Sequence, residues 1–200
     1  MKENWLFIKT DNDYGRPCVV EFDENVVKHF DIGKSEGISL VKSINENWNE
    51  KLTEIDHKFI NTDHIRVFRK GKICKVLSDE ESITEDCIFE DDYVKLNATD
   101  TELTENEIQN LKFEFNWNGE KMNISFNEVL DSPVMQEINK RLNKKGNEIL
   151  LEKLNETLFL SLYSDSHLDK LIPIKYIDRQ KMVLYGFPKE PYEIQCPVIE

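Results

Sequence analysis

The spacing of apolar residues changes several times along the chain, and each change predicts an element. Short apolar runs in NWLFIKT (4–10) and PCVVEF (17–22) flank the turn-forming DNDYGR, which predicts a β-hairpin. From Gly37 onward, Leu40, Val41, Ile44, Trp48, Leu52 and Ile55 recur at intervals of three and four. That interval is the period of a helix with one apolar face, so an amphipathic helix is predicted over roughly 38–56. IRVF and KICKVL around RKG predict a second hairpin, and CIFEDDYVKL (87–96) ends like a strand.

After the polar NATDTELTENEIQN (97–110) a similar order begins again. LKFEFNW and KMNISF surround Asn118-Gly119, a dipeptide that tolerates the positive φ angles of a tight hairpin turn. Ser132-Pro133 offers an N-cap followed by proline at the first helical position, with Val134, Met135, Ile138 and Leu142 on one face behind it. Gly146 predicts a stop or break in that helix, and NEILLEKLN continues in helical style. TLFLSLY, LIPIKYI and KMVLYGF read as strands, the last two forming a hairpin across DRQ.

The expected fold is therefore a mixed α+β one, with β-hairpins and one or two amphipathic helices per half. Element order points to two similar ββα(βββ) lobes. A displacement of 104 residues places Gly15 over Gly119, Phe22 over Phe126 and Glu24 over Glu128, identities too few to establish a duplication. The expected boundaries are an N-terminal lobe 1–96, an acidic and polar connector 97–110 and a C-terminal lobe 111–200. A single compact domain with two lobes is the other arrangement this order allows.

Composition narrows the function classes. Apolar residues at 39% supply a core, and a net charge of −13 argues against nonspecific binding to nucleic acid or to an anionic membrane. The four cysteines, Cys18, Cys74, Cys87 and Cys196, form no C-x-x-C pair. The opening MKENWLFIKTDND holds only four consecutive apolar residues, too few for a signal-peptide core. No run approaches the roughly 18 apolar residues of a membrane span. A reduced cytoplasmic setting is expected, with the cysteines acting as small buried hydrophobes.

Charge is unevenly distributed, which changes the picture more than its total does. Residues 76–108 hold twelve acids and one base, Lys95, a net of −11, whereas the other 167 residues carry −2. Directly before this segment, HIRVFRKGKICK (64–75) is basic. If the two are neighbouring strands, cross-strand pairs cancel part of the acidic field. If they are not, the acids form a solvated face or a docking surface.

No motif assigns a reaction. IGKSEG (32–37) lacks the first glycine of a phosphate loop, since Lys28 stands in its place. DNDYG (11–15) brings its glycine one position too early for a calcium loop, and Phe22 occupies the place of the closing glutamate. His29, His57, His64 and His167 make no close metal-ligand pair. SDSH (164–167) has triad residue types in adjacency, whereas a triad needs them to converge from separate segments. No catalytic residue, metal ligand or cofactor is assigned.

The expected function is a non-enzymatic acidic protein that occludes a basic, nucleic-acid-binding protein partner. Asp79, Glu80, Glu81, Glu85, Asp86, Glu90, Asp91 and Asp92 would imitate a phosphate track, helped by the acids of 100–107. Phe89 and Tyr93, interleaved with them, would be apolar anchors. Immunity proteins that neutralise nuclease toxins, and phage anti-defence proteins, work through acidic surfaces of this kind, an analogy of charge alone. No direct contact with nucleic acid or membrane is expected, and the oligomeric state is left open. Two alternatives are a metal-dependent hydrolase or nuclease built on His57, His64 and carboxylates, and a self-associating structural protein.

Overall fold

The computed structural model describes residues 4–10, 18–23, 26–34, 38–42, 48–76, 82–117, 120–129, 131, 133–143, 146–185 and 193–199. The chain divides into two compact units, one of Met1–Gly33 with Leu40–Leu96, the other of Lys34–Ser39 with Asn97–Glu200. Both are built mainly from antiparallel strands, which overturns the α+β expectation.

Seven strands make the sheet of the first unit. They are β1 (Asn4–Thr10), β2 (Cys18–Asp23), β3 (Val26–Lys34), β4 (Ile38–Lys42), β5 (Trp48–Phe59), β6 (His64–Val76) and β7 (Ser82–Lys95). Their order is β4-β3-β2-β1-β7-β6-β5. At the centre, Trp5, Val20, Ile65, Val67 and Tyr93 pack together on one face, with Phe7 and Cys18 against them. Leu6, Val19 and Val94, of the opposite parity, are buried too. Burial of both parities explains why β1 shows a continuous apolar run rather than an alternation.

The helix expected over 38–56 is not formed; β4 and β5 cover its described residues. The reason lies in a β-bulge between Leu52 and Glu54. Trp48 and Leu52 stand opposite Lys75 and Gly71, while Ile55 and Phe59, beyond the bulge, stand opposite Arg69 and Ile65. All four partners have one parity on β6, so one extra residue turns a four-three-four spacing into positions on one sheet face. Nor does RKG form a turn. β6 runs straight through it, and Gly71 lies opposite Leu52, beside the bulge.

The second unit opens with α1 (Glu105–Gln109) and holds β8 (Lys112–Trp117), β9 (Glu120–Ser125), β10 (Glu128–Val129), α2 (Pro133–Arg141), β11 (Asn147–Leu154), β12 (Thr157–Ser164), β13 (His167–Ile177), β14 (Lys181–Tyr185) and β15 (Glu193–Ile199). The sheet order is β10-β11-β12-β13-β14-β15-β8-β9. First and last strands in that order are joined in sequence by Phe126 and Asn127 alone, so the sheet curls nearly into a barrel. Alternate residues of each strand point inward: Leu158 and Leu160, Met182 and Leu184, Ile194 and Cys196 join Phe113, Phe115, Ile124 and Ile174 in one core.

NEILLEKLN, expected to continue a helix, forms β11, paired along its whole length with β12. Asn155 at φ 55° makes the two-residue turn between them, a turn signal that outweighs the apolar spacing. Strands at 4–10, 112–117, 120–125, 157–164 and 181–185, and a helix starting at Pro133, do lie where the pattern puts them. Among the described residues no helix is long and apolar enough to cross a membrane.

Helix α2 is an excursion between two paired strands, since Glu128 and Val129 stand opposite Ile149 and Glu148. Its base is closed by the Asp131 carboxylate, which accepts from Asn139 Nδ2 at 2.8 Å, Asn147 N at 3.0 Å and Asn147 Nδ2 at 2.9 Å. Gly146, at φ +80°, lies under this knot, and a Cβ there would stand 2.0 Å from Asp131 Oδ2. Gly146→Ala is thus expected to destabilise the protein by about 1–3 kcal/mol, through left-handed strain and disruption of the Asp131 contacts. Chemical denaturation checks this; an unchanged midpoint would show that the knot is not formed. The Cys196 thiol, pushed up to about 12 by burial, is expected to resist alkylation at neutral pH until the chain unfolds, as mass spectrometry after iodoacetamide would show.

Candidate interaction surface

Strands β6 and β7 pair along their whole length, from His64 opposite Val94 to Val76 opposite Ser82. The basic segment therefore lies beside the acidic one. β6 carries five bases, Arg66, Arg69, Lys70, Lys72 and Lys75, and β7 five acids and one base, with Arg66 opposite Asp92 and Lys72 opposite Asp86. The pair as a whole carries almost no net charge.

Arg66 shows the match in atomic detail. Its guanidinium donates to Asp92 through Nε at 2.8 Å and Nη2 at 2.9 Å, a two-pronged arrangement that fixes geometry as well as charge. Nη1 stands 2.6 Å from Glu90. The Asp92 side chain is only 10% exposed, so its charge depends on this partner, whereas Glu90 at 33% is also reached by water. Asp91 and Tyr93 have the opposite parity. Both are buried, and the Tyr93 ring meets Phe7 edge-on at 5.7 Å between centroids.

The sequence-derived surface residues thus fall into three groups. Asp91, Asp92 and Tyr93 are buried in the sheet and Glu90 is half-buried. Glu85, Asp86 and Phe89 lie on β7 opposite Ile73, Lys72 and Arg69. Asp79, Glu80 and Glu81 lie outside the described residues, as do DNDYG and Ser35 to Gly37 of IGKSEG.

The histidines do not converge. His57 stands opposite Val67 on β5–β6, a parity that His64 does not share, so the two positions lie on opposite faces of the sheet. His64 is buried, with Nδ1 3.0 Å from Asn61 Oδ1 in the β5–β6 turn. His57 is exposed and packs edge-on against Phe59. In SDSH, Ser164 pairs with His167 across a tight turn in which Asp165 and Ser166 have positive φ, so its role there is the turn. Among the described residues, no three His, Cys, Asp or Glu side chains are grouped to hold a metal ion.

A second acidic region lies in the other unit. The segment after Asn97 is stitched into the barrel: Thr99 N donates to Glu156 O, Thr99 Oγ1 donates to Ile174 O and accepts from Leu158 N, and Asp100 bridges Tyr176 in parallel. Helix α1 follows, with Thr104 as its N-cap. Glu107 N donates to Thr104 Oγ1 while Thr104 N donates to Glu107 Oε2, a reciprocal box that turns Ile108 into the core. Those bonds to Thr104, with Arg179 beside it, hold the Glu107 carboxyl below the ordinary range.

Between this segment and the β13–β14 turn lies an open cleft of about 410 Å³. Asp100, Glu102, Tyr176, Asp178 and Arg179 supply its polar lining. The Tyr176 hydroxyl donates to Asp178 at 2.5 Å, which holds the phenol above its usual range, with burial and the Asp178, Asp100 and Glu102 charges adding to the effect. The same bond, followed by those from Gln180 N and Lys181 N, holds the Asp178 carboxyl low. Arg179 is drawn to Glu107 at 2.5 Å. Asp100 and Glu102 are exposed and make no ion pair among the described residues. Nothing in the sequence marks Tyr176 and Asp178 as neighbours of 100–102, because some 75 residues and five strands separate them.

The chain matches no family model, no curated protein and no solved structure. Chemistry and geometry alone therefore carry its functional assignment.

Arg66→Ala is expected to cost about 2 kcal/mol, because Asp92 is left in a nearly dry site without its donor, whereas Glu90→Gln costs under about 1 kcal/mol. Neutralising Glu90, Asp91 and Asp92 together should likewise lower stability in urea; retained stability would show that these acids do not hold the sheet. The Tyr176–Asp178 bond has a definite pH sign. Asp178 is held low, so its contribution is present above the ordinary carboxylate pKa and lost as pH falls through the lowered value. Tyr176 is held high, so its contribution is present below the ordinary phenol pKa and lost as pH rises through the raised one. In Tyr176→Phe the Asp178 carboxyl should titrate closer to an ordinary aspartate, as followed by carboxyl-carbon NMR.

Proposed function

We propose that the protein is a non-enzymatic acidic binding protein that occludes a basic protein partner, as toxin-immunity and phage anti-defence proteins do, and that it works in the cytoplasm. The observation that supports this most is the exposed acidic ridge of the 97–200 unit. Asp100, Glu102, Glu105, Glu107 and Asp178 meet only Arg179 and Lys153 as ion-pair partners among the described residues. On β7, by contrast, Glu90 and Asp92 are answered by Arg66 of β6.

The recognition surface we infer is thus centred on 100–107 and the cleft beside it. Rim carboxylates at this density steer a cationic partner and orient it, acting mainly on the association rate. The cleft gives a long basic side chain a place to enter: an arginine or lysine could reach Asp100 and Glu102 while its stem lies along Leu103 and Ile177.

Glu102→Lys with Asp100→Lys should leave folding intact, since both side chains are exposed, and slow association with the partner at low salt by about 10–100-fold. A salt-graded pull-down with wild type and variant identifies the partner, and stopped-flow mixing then measures the rate. A partner whose capture survives both charge reversal and high salt would remove this surface from the interface.

A further inference from the structure

The sheet of the first unit ends at β5, and among the described residues no strand pairs with the outer side of that strand. β5 runs for 12 residues, Trp48–Phe59. A long edge presents backbone donors and acceptors in a row, a template for a further strand. The direction of those groups is fixed at the β5–β6 turn. Ile60 N donates to His64 O, so Lys58 and Asp56, at alternate positions before it, also turn their peptide groups toward β6. Ile55, His57 and Phe59 therefore present theirs outward. His57 N donates to the Asp56 carboxylate at 2.7 Å, a local substitute for the strand that the edge lacks.

Charge at this edge specifies which strand fits. Asp56, His57, Lys58 and Phe59 are exposed, Phe59 to 52%. Lys58 stands opposite Arg66, a like charge already taken by Glu90 and Asp92, and makes no ion pair among the described residues. Its missing partner is an acid on the open side. Asp56 stands opposite Phe68 and lacks a cation in the same way. An antiparallel copy of β5 meets both needs at once. Among registers centred from Glu54 to Lys58, centring on Glu54, Asp56 or Lys58 sets a charge against itself, and centring on Ile55 sets Glu54 against Asp56. Centring on His57 opposes Asp56 to Lys58 twice. It also places Ile55 opposite Phe59, so the outward peptide groups meet in hydrogen-bonded pairs.

We propose that the protein pairs β5 with β5 of a second copy, antiparallel about His57, so that the sheet continues across a two-fold axis. Backbone pairing over 55–59 supplies attraction, and the Asp56–Lys58 pairs set the register. Contact along one edge buries little area, so the dimer is weak, with a dissociation constant on the order of 100 μM. Sedimentation equilibrium of the full chain measures it. Lys58→Asp is expected to weaken dimerisation about tenfold, because two attractive pairs become repulsive. Asp56→Lys/Lys58→Asp is expected to restore it to within about threefold of wild type, since the swap keeps both pairs and exchanges their ends. Oxidised His57→Cys should run as a disulfide-linked dimer on a non-reducing gel, because hydrogen-bonded partners stand about 5.5 Å apart between Cα atoms, within disulfide reach. Lys58→Cys, opposite position 56, should not. A chain monomeric up to about 1 mM would overturn the proposal. So would a dimer indifferent to Lys58→Asp, one that the charge swap fails to restore with melting curves unchanged, or equal cross-linking through positions 57 and 58.

Discussion

A strand pairs with its neighbour in one register or not at all, and the register of β6 with β7 organises the N-terminal unit. With Arg66 opposite Asp92 and Ile65 opposite Tyr93, one parity carries the Arg66 ion pairs and the other carries the central apolar cluster. A slip of one residue would bring Tyr93 opposite Arg66 or His64 and take its ring out of register with Ile65. Charge and hydrophobicity thus select the same alignment. The acids at the end of β7 act first as structural partners of a basic strand.

The second unit meets the edge-strand problem differently. Its sheet curls until first and last strands are separated by two residues, and the polar segment after Asn97 is sewn into it by Thr99 and Asp100. That stitching leaves the carboxylates of Asp100 and Glu102 outside while the capping box of α1 sends Ile108 inside. The acidic ridge is a consequence of how the chain enters the barrel. One unit thus carries two surfaces of different chemistry: carboxylates beside the β13–β14 turn, and an exposed apolar stripe on α2.

Much of the second unit was legible in the sequence, for physical reasons that can be named. Asn118-Gly119, Ser132-Pro133 and DRQ are each local sequence signals for a turn or a helix start, so the strands and helix beside them follow from neighbours in sequence. The even spacing in TLFLSLY and KMVLYGF is likewise local. The misreading at 147–154 arose where a turn residue, Asn155, lay beyond the apolar run it controls. At 48–59 the apolar spacing satisfied both a helix and a bulged strand, and only the partner strand could decide between them.

By itself the sequence determined the uneven distribution of charge, the turn positions and the amphipathic character of 133–142, because each depends on residue identity or on neighbours a few positions away. Tertiary structure decided what those features face. The pairing of β6 with β7 turned an acidic run into a set of internal partners, the barrel brought Tyr176 and Asp178 to Asp100 and Glu102, and the Asp131 knot left the apolar side of α2 in solvent. A carboxylate's role depends on the charge across from it, and that charge comes from a distant part of the chain that only folding brings near.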